Sequence, residues 1–283
     1  MAATATEIAN LAIAHLGGRA LTALSTDSTQ QAASIRKWWN PEAGTPVYTA
    51  LDETLRAHPW NFATARKRQT VTYHTLTGAA VNNDGGLIRI THAGHGYATG
   101  DRVYVKDVVG VTVANSQWYV TVSGNHFTLD GSVFAGTYTN DTGSVVGIPQ
   151  FAYDFQHTPP TDCLRPISIN ADGGQNEDDG SDFLLEKGVI LCDDETINLK
   201  YIQRITDITK YPADFVTAFS YLLASYIASD TAGSSGRAIE LHQFFTKAAA
   251  PPAKARDANE GKGRRITPFD DSQVVLSRGG YSL

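Results

Sequence analysis

Between residues 6 and 58, apolar positions recur at helical spacing and halt at turn-forming residues. Ile8, Leu11, Ala12 and Leu16 share one face of a helix expected over residues 6–16, with Thr4 or Thr6 as cap and Gly17-Gly18 as stop. A second helix is expected from Ser25 or Asp27, whose side chains can accept orphan amides, through Ala32, Ala33 and Ile35 to Trp39. Asn40-Pro41 interrupts it. Pro46 suits the first turn of a third helix, whose stripe Val47, Leu51 and Leu55 ends near His58-Pro59. Trp60-Asn61-Phe62-Ala63 then leads into a strand.

From about residue 78 to residue 147 the period changes to short β-branched and aromatic runs broken by Gly, Asn and Asp, as in a separate β module. Its expected strands are Leu87–Thr91, 102–105, 118–122 and 127–129, with turns at Thr99-Gly100-Asp101 and Gly124-Asn125. Further strands are expected at Cys163–Ile169, 183–186, Val189–Cys192 and 196–205, with Lys187-Gly188 closing a hairpin. Two helices follow, over 212–229 and from Ser234 or Ser235 to about Ala249, where Pro251-Pro252 breaks or kinks the second. Residues beyond Gly261 carry little helical pattern and suit an extended arm.

These patterns predict an α+β fold: a helical bundle with a β region, plus an inserted all-β module. The expected divisions are 1–77, 78–148 and 149–283, the first and last forming one interrupted domain. With 283 residues, 42% hydrophobic and 18% charged, the chain has the composition of a soluble globular protein. No apolar run is long enough to cross a bilayer, and residues 1–5 lack the basic start of a secretory leader. Cys163 and Cys192 have no CxxC or Cys/His ligand spacing, which suits free thiols in a reducing cytoplasm. A net charge of −6 disfavours a general nucleic-acid-binding surface, since neutralising phosphates requires clustered Lys and Arg.

Several groupings could carry chemistry, and each has a plainer explanation. His92 and His95 have His-x-x-His spacing, but on a strand-turn segment without a nearby third ligand they suit turn and surface roles. Gly94, Gly96 and Gly100 precede strands, whereas a dinucleotide fingerprint must open a helix. Glu177, Asp178, Asp179 and Asp182 lack the ligand order and glycine of an EF-hand and suit a solvated loop. No Gly-x-Ser-x-Gly or comparable arrangement supports a hydrolase. His58-Pro59-Trp60 has no nucleophile or metal partner in sight, so Pro59 is expected to end a helix and Trp60 to anchor the core. No catalytic, cofactor or metal site is therefore expected.

Four stretches stand out: Glu7-Ile8-Ala9-Asn10-Leu11-Ala12 ending at Leu16-Gly17, Leu24-Ser25-x-Asp27-Ser28, Asp52-Glu53-x-Leu55-Arg56, and above all His58-Pro59-Trp60-Asn61-Phe62-Ala63. Together they resemble the tail tubular protein A and head-tail adaptor family of tailed phages. Looser likenesses lie at residues 155–164, 201–219 and 272–278, so the resemblance covers about 1–75 and 150–283. The spacing from Trp39 to Pro46, where that family continues a helix, and the whole insert depart from it. The insert's His95-Gly96-Tyr97-x-Thr99-Gly100-Asp101-x-Val103, with Tyr119-Val120-Thr121-Val122 and Phe127-Thr128-Leu129, resembles a small β domain recurrent in phage structural proteins. That domain is also similar to one in ubiquitin-activating enzymes, and no catalytic residue transfers with it.

The resemblance implies a structural protein of the virion neck or tail, assembled in the host cytoplasm. Its expected partners are the portal protein, a tail nozzle or tail-completion protein, and copies of itself in a ring, commonly a dodecamer. DNA would pass through the ring without sequence-specific binding, and no membrane is involved. A different expectation is a host-surface or carbohydrate-binding module at 78–147, carried by Tyr97, Trp118 and Tyr138. Candidate interface residues are Trp38 and Trp39, since adjacent helical positions cannot both point fully inward, with Arg264, Arg265, Phe269, Val275 and Leu276 in the arm.

Overall fold

A computed structural model describes residues 4–76, 81–139, 141–171, 180–233 and 235–260. The described chain contains thirteen strands and six α-helices, divided between two compact units. The first unit comprises Met1–Arg66, Thr161–Gly180 and Lys200–Leu283; the second comprises Lys67–Pro160 and Ser181–Leu199.

In the first unit, α1 (Ala5–Ala14) begins at Thr4, whose hydroxyl caps Glu7 while the Glu7 carboxylate returns to the Thr4 amide. Gly17, at φ 71°, turns the chain out of the helix, a conformation only glycine adopts without strain. Helix α2 (Gln30–Trp38) starts at a Thr29 cap, later than Ser25 or Asp27, because the Asp27 carboxylate instead accepts the Thr29 amide in a turn. Helix α3 (Thr49–Arg56) also starts later than expected. Pro46 lies outside it because Val47 pairs with Asn40 in both directions, at 2.8 and 3.1 Å.

Helix α4 (Ala213–Ala232) is the centre of this unit, and α1, α2, α3 and α5 (Ser235–Phe244) pack on it. Phe215, Phe219, Leu222, Leu223 and Ile227 are buried along its length. After α5 comes a π-helical turn, Phe245–Ala249, and then α6 (Ala250–Asn259), which the sequence pattern did not suggest. Pro251 and Pro252 fall in the first turn of α6, where a helix needs no amide donors, so the prolines begin a helix here.

Three sheets complete the architecture. Strands β1 (Thr64–Thr70), β10 (Cys163–Ile169) and β13 (Thr196–Gln203) form one in the order β1-β13-β10, and the chain crosses between units within β1 and β13. The second unit holds a seven-stranded sheet in the order β2-β8-β5-β6-β7-β4-β3. Its strands are β2 (His74–Thr75), β3 (Val81–Asp84), β4 (Leu87–Thr91), β5 (Arg102–Lys106), β6 (Gln117–Ser123), β7 (His126–Leu129) and β8 (Ser144–Ile148). Alternate residues Ile88, Ile90, Val103, Val105, Phe127 and Leu129 point to one buried face, as period two requires. The third sheet runs β11 (Leu184–Glu186), β12 (Val189–Cys192), β9 (Phe155–His157), all antiparallel. Lys187 and Gly188, both at positive φ, make its two-residue hairpin turn.

The expected helical bundle is therefore corrected: strands in three sheets outnumber the helices, and no α-helix lies in the described part of the second unit. The α+β description fits only loosely. Helices of eight to twenty residues leave a visible period, whereas strands as short as β2, β9 and β11 leave almost none. Among the described residues, no helix is long and apolar enough to cross a membrane.

Candidate functional site

The His58–Ala63 run forms a corner after α3. Pro59 supplies no amide, and the Trp60 amide turns back to the His58 carbonyl at 2.9 Å. The Trp60 indole N–H donates to the Thr54 carbonyl at 3.0 Å, which satisfies its one polar atom and leaves the ring 2% exposed, edge-on to Phe215 at 5.1 Å. The second half of the corner is held from far along the chain. Asp257, buried on α6, accepts the Asn61 amide at 2.9 Å and the His58 Nε2–H at 3.1 Å, while the Asn61 side chain donates to the Asp257 carbonyl. Lys254 donates to the Ala57 carbonyl at 2.8 Å. A buried carboxylate survives only with such donors. Burial lowers the His58 pKa from its ordinary value, with the adjacent Asp257 opposing the shift.

The Asp52-Glu53-x-Leu55-Arg56 stretch also works as a tether. Asp52 receives Arg204 through two parallel bonds of 2.7 and 2.5 Å, Glu53 accepts the Tyr226 hydroxyl, and Arg56 donates to the Leu164 carbonyl. The resembling stretches thus bind α3 to α4, to α6 and to the β10–β13 region of the same unit.

Of the tryptophan pair, Trp39 is fully buried against Phe219 and presents no surface to a partner, so its place among the interface residues is withdrawn. Trp38 is half-buried and stacks on Tyr226 at 4.6 Å, with planes 10° apart. Arg264, Arg265, Phe269, Val275 and Leu276 lie outside the described residues, as do Glu177, Asp178 and Asp179. Asp182 is exposed.

In the second unit, His95 Nδ1 accepts the Tyr97 amide at 3.0 Å, so Nε2 carries the proton and meets the Gly124 carbonyl at 3.2 Å. Both ring nitrogens are occupied in holding the loop. His92 sits 6.1 Å from His74 by ring centroid. Among the described residues, no group of three His, Cys, Asp or Glu side chains is placed to hold a metal ion. Gly94, Gly96 and Gly100 all take positive φ between β4 and β5. Tyr97, Trp118 and Tyr138 are partly buried against the sheet's core, and the last two spend their polar atoms on the Ala114 and Thr142 carbonyls. Both cysteines are free, and burial pushes the Cys163 thiol up to about 11.

An exposed apolar surface among the described residues was not among the sequence expectations. Phe151 is 79% exposed beside Ala152, whose φ of 70° is costly for a residue with a Cβ. Next to it, Leu184 and Leu185 of β11 are 42% and 47% exposed. Phe151, Tyr153, Leu184, Val189 and Leu191 line a groove of about 360 Å³ rimmed by Glu186 and Lys187. Sequence periodicity identified β11 as a strand, but not which of its edges would face away from β12.

Compared with known families and proteins, the chain matches no family model and no curated protein sequence.

Proposed function

We propose that the chain is a structural head-to-tail adaptor subunit of a tailed phage, forming a ring between portal and tail around a passage for DNA. The observation that supports this most is the corner at His58–Ala63. The run that most resembles the adaptor family has its Trp60, His58 and Asn61 side chains all committed to joining α3, α4 and α6. Such a motif does scaffold work, which suits a protein that acts by shape and assembly. Its partners in this proposal are the portal, a tail nozzle or tail-completion protein, and further copies of itself, with a dodecamer matching the portal. A ring requires a heterologous contact that closes around an axis. A net charge of −6 suits a channel past which DNA slides without base-specific contacts. Localisation to the virion neck follows.

The experiment is electron microscopy of phage particles carrying a gold-labelled tag on this chain. Label at the neck is the expected result. Label confined to the capsid shell or the tail tip overturns the proposal.

A further inference from the structure

Among the described residues, strand β11 ends its sheet's strand order, β11-β12-β9, so one edge faces away from β12. Proteins commonly shield such an edge with inward charges, proline or a bulge, because its open amides and carbonyls recruit other strands. Here the strand is Leu184-Leu185-Glu186, exposed along its whole length and flanked by the groove under Phe151. Apolar side chains on an open edge beside an apolar groove constitute an acceptor for an extended peptide.

The chain itself contains a matching donor. Gln273-Val274-Val275-Leu276-Ser277 combines β-branched and apolar residues, with Asp270-Asp271 before it and Arg278 after it. The described chain ends at Glu260, and the intervening residues 261–272 can span up to about 40 Å when extended.

We infer that β11 receives residues 273–277 of a second copy as an added antiparallel strand. With Leu185 opposite Val275, Leu184 meets Leu276, and Asp182, just before the strand, comes towards Arg278. Parallel addition through the same central pair would bring Asp182 towards Asp270-Asp271, a like-charge encounter. Charge therefore selects the antiparallel direction. The choice of a second copy rests on the ring proposed above, since donor and acceptor are different surfaces, as a head-to-tail contact requires.

The test uses two differently tagged full-length chains, Leu185→Cys and Val275→Cys, mixed at concentrations where the parent chain sediments as an oligomer and then mildly oxidised. Cross-strand partners come within disulfide reach. The expected result is a covalent heterodimer of the two tags, at least tenfold above both the parent chain and a Leu185→Cys plus Gln273→Cys mixture. Melting temperatures equal to the parent's establish that both variants fold. No cross-link, or a parent that stays monomeric at every attainable concentration, overturns the inference. So does closure within the doubly substituted chain when the mixture gives none. Cross-linking by a chain absent from the virion neck would remove the adaptor function and leave the strand exchange standing. A neck ring without cross-linking would do the reverse.

Discussion

The Asp257 carboxylate receives the Asn61 backbone N–H at 2.9 Å across 196 positions of sequence. It binds the start of β1's approach to the last turns of α6. Asp257→Ala leaves the Asn61 amide and the His58 ring N–H without their acceptor in a partly buried corner and should cost about 1–3 kcal/mol. Asp257→Asn retains an acceptor and should cost less. Urea unfolding of both variants checks the order, and an alanine variant as stable as the parent would show that α6 is not held there.

Trp60→Ala empties the space against Phe215 and removes the indole bond to Thr54, so a loss of about 3–5 kcal/mol is expected. The same range applies to Trp39→Ala, which opens a cavity beside Phe219. Trp38→Ala sacrifices mainly its stacking on Tyr226 and should cost about 0.5–1.5 kcal/mol. Denaturation midpoints that fail to separate Trp38 from Trp39 would contradict this division of the pair.

Gly110 stands at φ 88°, and a Cβ there would come within 1.7 Å of the Thr137 carbonyl oxygen. Gly110→Ala should lose at least about 2 kcal/mol, from left-handed strain plus displaced backbone. Gly124, at φ 61° with open space around it, isolates the strain alone, and Gly124→Ala should cost only about 1 kcal/mol. Equal losses, followed by thermal melting, would deny the close approach of the two loops.

His15 accounts for a pH dependence. Burial of the ring lowers its folded pKa from 6.5, and nearby Arg237 lowers it further. Below pH 6.5 the unfolded chain therefore binds protons that the folded chain resists. The stability contributed by neutral His15 is full above that value and is lost as pH falls through the depressed folded pKa. The parent's urea midpoint should fall more steeply on acidification than that of His15→Asn. Parallel curves would place the titrating group elsewhere.

Local rules were legible in the sequence wherever a few neighbouring residues decide the outcome. Thr4 and Glu7 cap α1, Lys187-Gly188 turns a hairpin, and the alternation through Leu87–Thr91 makes a strand, because each depends on contacts within a few positions. The anchoring role of Trp60 was legible for the same reason, since a large apolar ring after a proline-ended helix has few other places to go. Tertiary structure alone decided the rest. Asp257 is an unremarked acid in an alanine-rich segment until α6 is brought against Asn61, and α6 itself was hidden by prolines that serve as its first turn. Trp38 and Trp39 are chemically identical neighbours, and only the positions of Tyr226 and Phe219 separate the half-buried ring from the buried one. The balance of strands over helices, like the open edge of β11, depends on pairing between segments distant in the chain. Hydrogen-bond partners of that kind are selected by the packing of the whole fold, and a short strand carries no local mark of which edge will be left uncovered.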